Sequence, residues 1–310
     1  MSIAFPIPDR PAPHRVITTD RSEDILRFAL KGAESGNGVA LVTLVEITGG
    51  AARALGAQMA VWDCGAYCGF VSGGCTEAAV AAEAVLAITK GTDRLFRLGQ
   101  GSPFFDIVLP CGGGITLAIH ILRDCKPIHA VLDALDQRRS SGLCYDPARN
   151  CLRQTTDFNQ TGWQGEAFAR IYRPRVRLHL CGRSIELEAT ERLARAADFE
   201  TIVHDHEKEL HPDLGRIDAD SAVALLYHDI EHEMPILEQA LKAQPFYIGA
   251  LGSCRTHERR CEALRARGYS QTQTARIRGP IGLIDRARDA QTLALSVISE
   301  IAAVRSQLPR

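Results

Sequence analysis

Val176-Arg177-Leu178-His179-Leu180-Cys181-Gly182-Arg183-Ser184 decides the fold of the C-terminal half of the chain. The run up to Cys181 has the length and apolar alternation of a strand, and Gly182-Arg183-Ser184 makes a turn. A helical pattern follows over residues 185–197, and Phe199-Glu200-Thr201-Ile202-Val203-His204-Asp205 reads as a second strand. Strand, turn, helix and strand in this order open a doubly wound, dinucleotide-type fold. The glycine fingerprint of such folds is incomplete: Gly182 is present, but Ser184 and Leu187 stand at the second and third glycine positions. Asp205 lies 23 residues after Gly182, near where an acidic side chain contacts a ribose hydroxyl. Two readings stand: a nucleotide site, or a doubly wound domain that binds none.

Downstream, residues 222–227 form a third strand, 235–243 a helix, and Phe246-Tyr247-Ile248-Gly249-Ala250-Leu251 a fourth strand. The last opens into Gly252-Ser253-Cys254-Arg255-Thr256 and another helix. Ligands of open α/β sheets sit beyond the carboxyl ends of strands. Gly252, Ser253, Arg255 and Thr256 therefore suit a phosphate, although Arg255 also fits a solvated charge at a helix start. His204, His206, His211, His228 and His232 make no recognisable metal triad, and surface or capping roles are expected for the His228/His232 pair. Ile281-Gly282-Leu283 is read as a short final strand and residues 291–304 as a long amphipathic helix.

The N-terminal half turns on Val71-Ser72-Gly73-Gly74-Cys75-Thr76-Glu77-Ala78-Ala79. Ser72, Gly73 and Gly74 allow a tight turn and a close approach of main chain to a ligand. A helix is expected over residues 76–88, so Cys75 falls at or next to its cap, where unpaired N–H groups favour a thiolate or a bound anion. The alternative is a small, inert, buried cysteine. Leu109-Pro110-Cys111-Gly112-Gly113-Gly114 again sets a thiol against glycines, here between strands at 105–109 and 115–121. Two such turns suit a soft metal or a sulfur-bearing, phosphorylated ligand.

Around these loops a helix is expected at 20–31, capped by Ser22, and a buried strand in Val39-Ala40-Leu41-Val42-Thr43-Leu44-Val45, ended by Thr48-Gly49-Gly50. Shorter strands follow at 58–62 and 94–98, and a helix spans 126–140. Residues 1–20 read as a ragged lead-in, and 141–170 as a polar, irregular connection with room for a hairpin. The expected organisation is α/β: a mixed α/β N-terminal domain (1–125), a helix and connecting segment (126–172), and a Rossmann-like doubly wound C-terminal domain (173–310).

The 310 residues are enough for two full cores, and the net charge of −1 excludes a broad nucleic-acid or acidic-membrane surface. No apolar run approaches a membrane span, and residues 1–20 do not read as a secretory signal, so the expected compartment is cytoplasmic. Ten cysteines occur without a CxxC pair, which argues against a zinc ribbon or a thioredoxin-type motif. Most are expected to be small apolar fillers. Cys64, Cys68 and Cys75 are a weak alternative set of zinc or iron ligands.

Taken together, the chain resembles the XdhC/CoxI family, the accessory factors of xanthine dehydrogenase and related molybdoenzymes. The resemblance is carried by Val71 to Glu77, by Leu109-Pro110-Cys111-Gly112-Gly113 and by Phe246 to Ser253. Arg53, Gly56-Ala57-Gln58-Met59, Gly279-Pro280-Ile281-Gly282-Leu283 and the segment from Ala294 to Ile301 add to it. It implies a chaperone that binds molybdenum cofactor (molybdopterin), protects it, assists its sulfuration and delivers it to the large subunit of an apo-molybdoenzyme. It also implies Cys75 and Cys111 as molybdenum contacts, a homodimer, and a cysteine desulfurase as a further partner. The Rossmann turn departs from many members at Ser184, which leaves a pyranopterin phosphate or a bare nucleotide as alternatives to NAD(P) there. No delivery step needs turnover, and no catalytic triad is visible. An NAD(P)-dependent oxidoreductase built on Gly182 and Asp205 is the competing reading.

Overall fold

The computed structural model describes residues 11–101, 112–183, 185–205, 213–227 and 229–308. The chain divides into two compact units between Tyr172 and Arg173.

The first unit begins with β1 (His14–Ile17), α1 (Ser22–Glu34), β2 (Val39–Thr48), β3 (Gln58–Trp62) and β4 (Ala66–Gly69). Next come α2 (Glu77–Lys90), β5 (Arg94–Gly99), β6 (Gly114–Ile121) and α3 (Lys126–Asp136). A six-stranded sheet has the order β1-β4-β3-β2-β6-β5, with only the β1/β4 pair parallel. The apolar run of β2 follows from its place in the middle. Ala40, Val42 and Leu44 pack with Val80, Ala84 and Val85 of α2. Val39 and Leu41 pack with Leu26 and Phe28 of α1 and Ile128 of α3 on the other face. A strand covered on both faces loses the polar half of its alternation.

The stretch from 141 to 170 is not an irregular connection. It builds β7 (Ser141–Asp146), β8 (Cys151–Thr155), β9 (Gly162–Gln164) and β10 (Ala167–Tyr172). These form a second, antiparallel sheet of order β8-β7-β10-β9. Its strands are short and their exposed positions, Cys151, Arg153 and Trp163, mix apolar with polar, which hides the strand pattern in the sequence. The sheet is fastened to the first by Tyr172, whose hydroxyl donates to Gln58 Oε1 at 2.7 Å. Trp163 Nε1 also donates to the Val45 carbonyl at 3.0 Å, where the β2/β6 register shifts.

Two smaller expectations also change. The lead-in contains β1, a four-residue edge strand whose side chains are all exposed and so leave no amphipathic signature. Ser22 does not cap α1. Arg21 occupies that position without a side-chain cap bond, and Ser22 Oγ instead accepts from Arg170 Nη2 at 3.3 Å.

The second unit contains β11 (Arg177–Gly182), α4 (Ile185–Ala196), β12 (Glu200–Asp205), β13 (Ser221–Leu226) and α5 (Ile230–Ala243). It continues with β14 (Tyr247–Ala250), α6 (Cys254–Ala266), α7 (Gln271–Thr274), β15 (Ile277–Arg278) and α8 (Ala290–Gln307). All five strands are parallel, in the order β12-β11-β13-β14-β15. Numbered within the unit this is 2-1-3-4-5, one of the two common doubly wound orders. Along β13, Ala222, Ala224 and Leu226 face Leu187 of α4 and Val297 of α8, while Val223 and Leu225 face Leu237 of α5 and Leu264 of α6. The last strand is Ile277–Arg278, not residues 281–283. The Leu283 main chain instead bonds to α8, donating to the Ser296 carbonyl.

A buried ion pair joins α5 to α6. Arg260 donates to both oxygens of Glu233, at 2.6 and 3.0 Å, and to the Leu251 carbonyl at 2.6 Å. Both side chains are sealed from solvent.

Candidate functional site

Strand direction gathers the turn after β4 and the described end of the second motif, Gly112 to Gly114, at one edge of the first unit's sheet. Thr48 at the end of β2 pairs with Gly114 at the start of β6, and Gly99 at the end of β5 also pairs with Gly114. The loop after β4 emerges on this side, because β4 and β2 both run antiparallel to β3. Residues 49–57 bridge the two motif loops. A Cβ on Gly73 would lie 3.6 Å from Ala52 Cβ, and one on Gly113 only 2.1 Å from the Gly50 carbonyl oxygen. Two residues of chain, at most about 7 Å, separate these contact points. Gly113 admits no side chain, which accounts for a glycine there.

The loop from Val71 to Thr76 is fixed from below by Glu77, the first residue of α2, whose side chain is fully buried. Glu77 Oε1 accepts from the main-chain N–H of Val71 at 3.2 Å and of Ser72 at 2.8 Å. The Ser72 hydroxyl lies 2.9 Å from both carboxylate oxygens and accepts from Thr76 Oγ1 at 2.8 Å. Ser72 is thus part of the scaffold, and its polar groups are turned inward. What the turn presents to solvent is Gly73, Gly74 and Cys75. Gly74 has φ of +106°, with open space where a Cβ would stand. Cys75 precedes the helix N-cap, Thr76, and is exposed rather than buried. The sequence offered Glu77 as part of a motif without a role. The signal for one was an acid at the start of a helix, five residues after a serine.

Arg53, from the bridging loop, borders this turn. Its Nε donates to the Ser72 carbonyl at 3.3 Å, and its Nη1 pairs with Asp20 at 2.7 Å. Its guanidinium lies 5.1 Å from the Phe70 ring centre, and that of Arg15 lies 4.5 Å from the same centre. On the β5 side, Arg97 donates to the Gln100 carbonyl and to Thr48 Oγ1, tying that turn to the end of β2. Gly112, at φ +68°, has open space around it. Cys111 and the strand expected at 105–109 lie outside the described residues.

Among the other described thiols, three fit the buried filler role expected for most of them and three are exposed. Cys64, Cys151 and Cys254 are exposed, Cys125 and Cys261 are half-buried, and Cys68, Cys144 and Cys181 are buried. Burial pushes the Cys68 thiol up to about 12, so it is no ready metal ligand. Cys64 precedes β4 and Cys75 follows it, and a four-residue strand is about 13 Å long, so the three do not converge. Among the described residues, no cluster of three His, Cys, Asp or Glu side chains is placed to hold a metal ion.

In the second unit, parallel strands put the remaining predicted positions at one sheet edge. Gly182 ends β11 opposite Asp205, the last residue of β12. Gly252 follows β14 and leads into Ser253, the N-cap of α6. Gly182 and Gly252 lie two strand positions apart, about 10 Å. Ser253 Oγ accepts from Thr256 N–H at 3.2 Å and lies 3.0 Å from Thr256 Oγ1, so both hydroxyls serve the cap. Arg255 is exposed. Ser184 and His228 lie outside the described residues.

A glycine-loop sheet edge bearing an exposed thiol, in one chain with a doubly wound parallel domain, defines a two-domain α/β protein. The chain belongs to the XdhC and CoxI family: the model of that family matches residues 33–99, and that of the XdhC Rossmann domain matches residues 178–301. It is 51% identical over 295 residues to the molybdenum cofactor insertion chaperone PaoD of Escherichia coli (strain K12), covering 94% of this chain and 92% of that protein. A crystal structure described as a xanthine dehydrogenase from Bacillus halodurans shares the fold with a TM-score of 0.72 at 19% identity, covering 93% of this chain and 97% of that one.

Proposed function

We propose that this chain binds molybdenum cofactor as cargo and delivers it to the large subunit of an apo-molybdoenzyme of the xanthine dehydrogenase or aldehyde oxidase type. The observation that carries the reading is the 51% identity, over almost the whole length, to a molybdenum cofactor insertion chaperone. The site residues fit such a cargo. Cys75 offers an exposed sulfur, a soft donor of the kind molybdenum and its dithiolene chemistry favour. Gly73-Gly74 and Gly112-Gly113 offer bare main chain for a flat pterin to approach, and Cys111 is the second thiol in this scheme.

Release matters as much as capture. A loop held rigid by Glu77 presents its donors without rearrangement, so the cargo meets a preformed surface and leaves one behind. Sulfuration would pass through a thiol of this edge, with a cysteine desulfurase as the sulfur source. A homodimer and a cytoplasmic location complete the proposal. Among the described residues no helix is long and apolar enough to cross a membrane. Gly182, Ser184, Asp205, Gly252, Ser253, Arg255 and Thr256 are proposed to receive the nucleotide or phosphate part of a ligand in the second unit.

The test is anaerobic purification from cells making the cofactor, assay of released pterin and molybdenum, and transfer to an apo-molybdoenzyme. Stoichiometric pterin and activation of the apo-enzyme are expected. Pterin-free protein that neither binds added cofactor nor activates the client would overturn the reading. Heat or a thermal shift with NAD(P), without pterin binding, would favour the oxidoreductase reading instead.

A further inference from the structure

We infer that Arg53 and Arg15 form a phosphate clamp on the first unit's sheet edge, and that Asp20 occupies it until a phosphate monoester displaces it. The inference rests on the proposed function and names the part of the cargo that these side chains meet.

The turn itself is poorly suited to an anion. The N–H groups of Val71 and Ser72, nearest the start of the loop, are spent on Glu77, and the Ser72 hydroxyl is spent there too. A buried carboxylate under the turn also repels negative charge from that spot. Beside it the balance reverses. Two guanidinium groups lie against Phe70, and among the described residues one carboxylate, Asp20, is paired with either of them. The Asp20 side chain is 62% exposed, so the pair with Arg53 sits in water and is cheap to exchange. Arg53 is meanwhile aimed by its bond to the Ser72 carbonyl and by the Phe70 face. A guanidinium fork matches phosphate oxygens in geometry as well as charge. The pterin cargo carries its phosphate on a methylene group of the pyran ring, beside the dithiolene that holds the metal. Held at Arg53, that phosphate would border the turn that displays Cys75.

The experiment uses the full-length chain and two probes: molybdopterin with its terminal phosphate, and the same pterin after phosphatase treatment. Dissociation constants are measured anaerobically for the parent, R53Q, R15Q and D20N. The parent should prefer the phosphorylated form. R53Q should lose about tenfold to a hundredfold on that form and nothing on the other, as expected for charge-assisted bonds. R15Q should lose part of the preference. D20N should bind the phosphorylated form about two- to fivefold more tightly, because it removes a weak surface competitor. A merely structural Arg53–Asp20 pair predicts that D20N weakens binding or leaves it alone. The clamp is overturned if R53Q keeps the parent's preference, or if D20N does not tighten binding. Melting curves of R53Q and R15Q show whether each variant is folded; R15Q changes an exposed residue and keeps the test open if R53Q is not. If the parent binds neither form, the proposed function falls and the clamp with it. If the parent binds both forms equally, only the clamp falls.

Discussion

Replacing Glu77 tests whether the Cys75 turn is held by one buried carboxylate. In E77A the N–H groups of Val71 and Ser72 lose their acceptor in a place water does not reach. Each orphaned main-chain donor costs about 1–3 kcal/mol, while Ser72 Oγ keeps Thr76 as a partner, so the loss is about 4 kcal/mol. For a unit of this size that lowers Tm by about 8–16 °C. E77Q keeps the volume. Its carbonyl oxygen can accept from both N–H groups and its amide can donate to Ser72 Oγ, so the bonds persist without their charge. Neutral bonds are about half as strong, which gives about 1–2 kcal/mol and about 2–8 °C. Circular-dichroism melts measure both variants, and amide exchange at Ser72 reports the turn directly. E77A melting within about 2 °C of the parent, or E77Q falling as far as E77A, would refute the reasoning.

Three further outcomes are expected. Asp93 is buried, which alone would push its carboxyl up, but His120, the Ile121 N–H and Arg123 outweigh burial and hold it at about 2 against an ordinary 3.8. A folded value below the unfolded one stabilises above it and is lost on acidification, so urea titrations should show about 2 kcal/mol disappearing between about pH 4 and pH 2, and D93N should flatten that limb. C75A, at an exposed position, should keep stability within about 0.5 kcal/mol while cofactor retention drops; unchanged retention in a binding assay would remove this thiol from the mechanism. E233A should destabilise the second unit by about 3–5 kcal/mol by stranding Arg260, and the E233L/R260M double variant should recover most of that in thermal denaturation.

Much of the architecture was legible along the chain. The run from Val39 to Val45 announced a strand buried on both faces, and the Gly182 turn between apolar runs announced a parallel, doubly wound sheet. The helix after Cys75 was readable because glycines and a helical period adjoin. Less legible were β1, which is short and wholly exposed, and the sheet of β7 to β10, whose short strands expose apolar Trp163 and Cys151 as well as Arg153. The final strand was misplaced by a few residues because two short apolar groups, at 277 and at 281–283, compete and only packing against β14 selects the first.

The sequence alone determined the strand–turn–helix–strand opening of the second unit, the glycine turn before Cys75 and the family, since each is written in residues that are neighbours in the chain. The fold alone decided that Gly73 and Gly113 border one bridging loop, that Arg53 reaches Asp20 across 33 positions, and that Arg260 seals against Glu233 across 27. Local periodicity and turn chemistry act within a few residues, whereas such pairs are set by strand order and direction, which no short window of sequence contains.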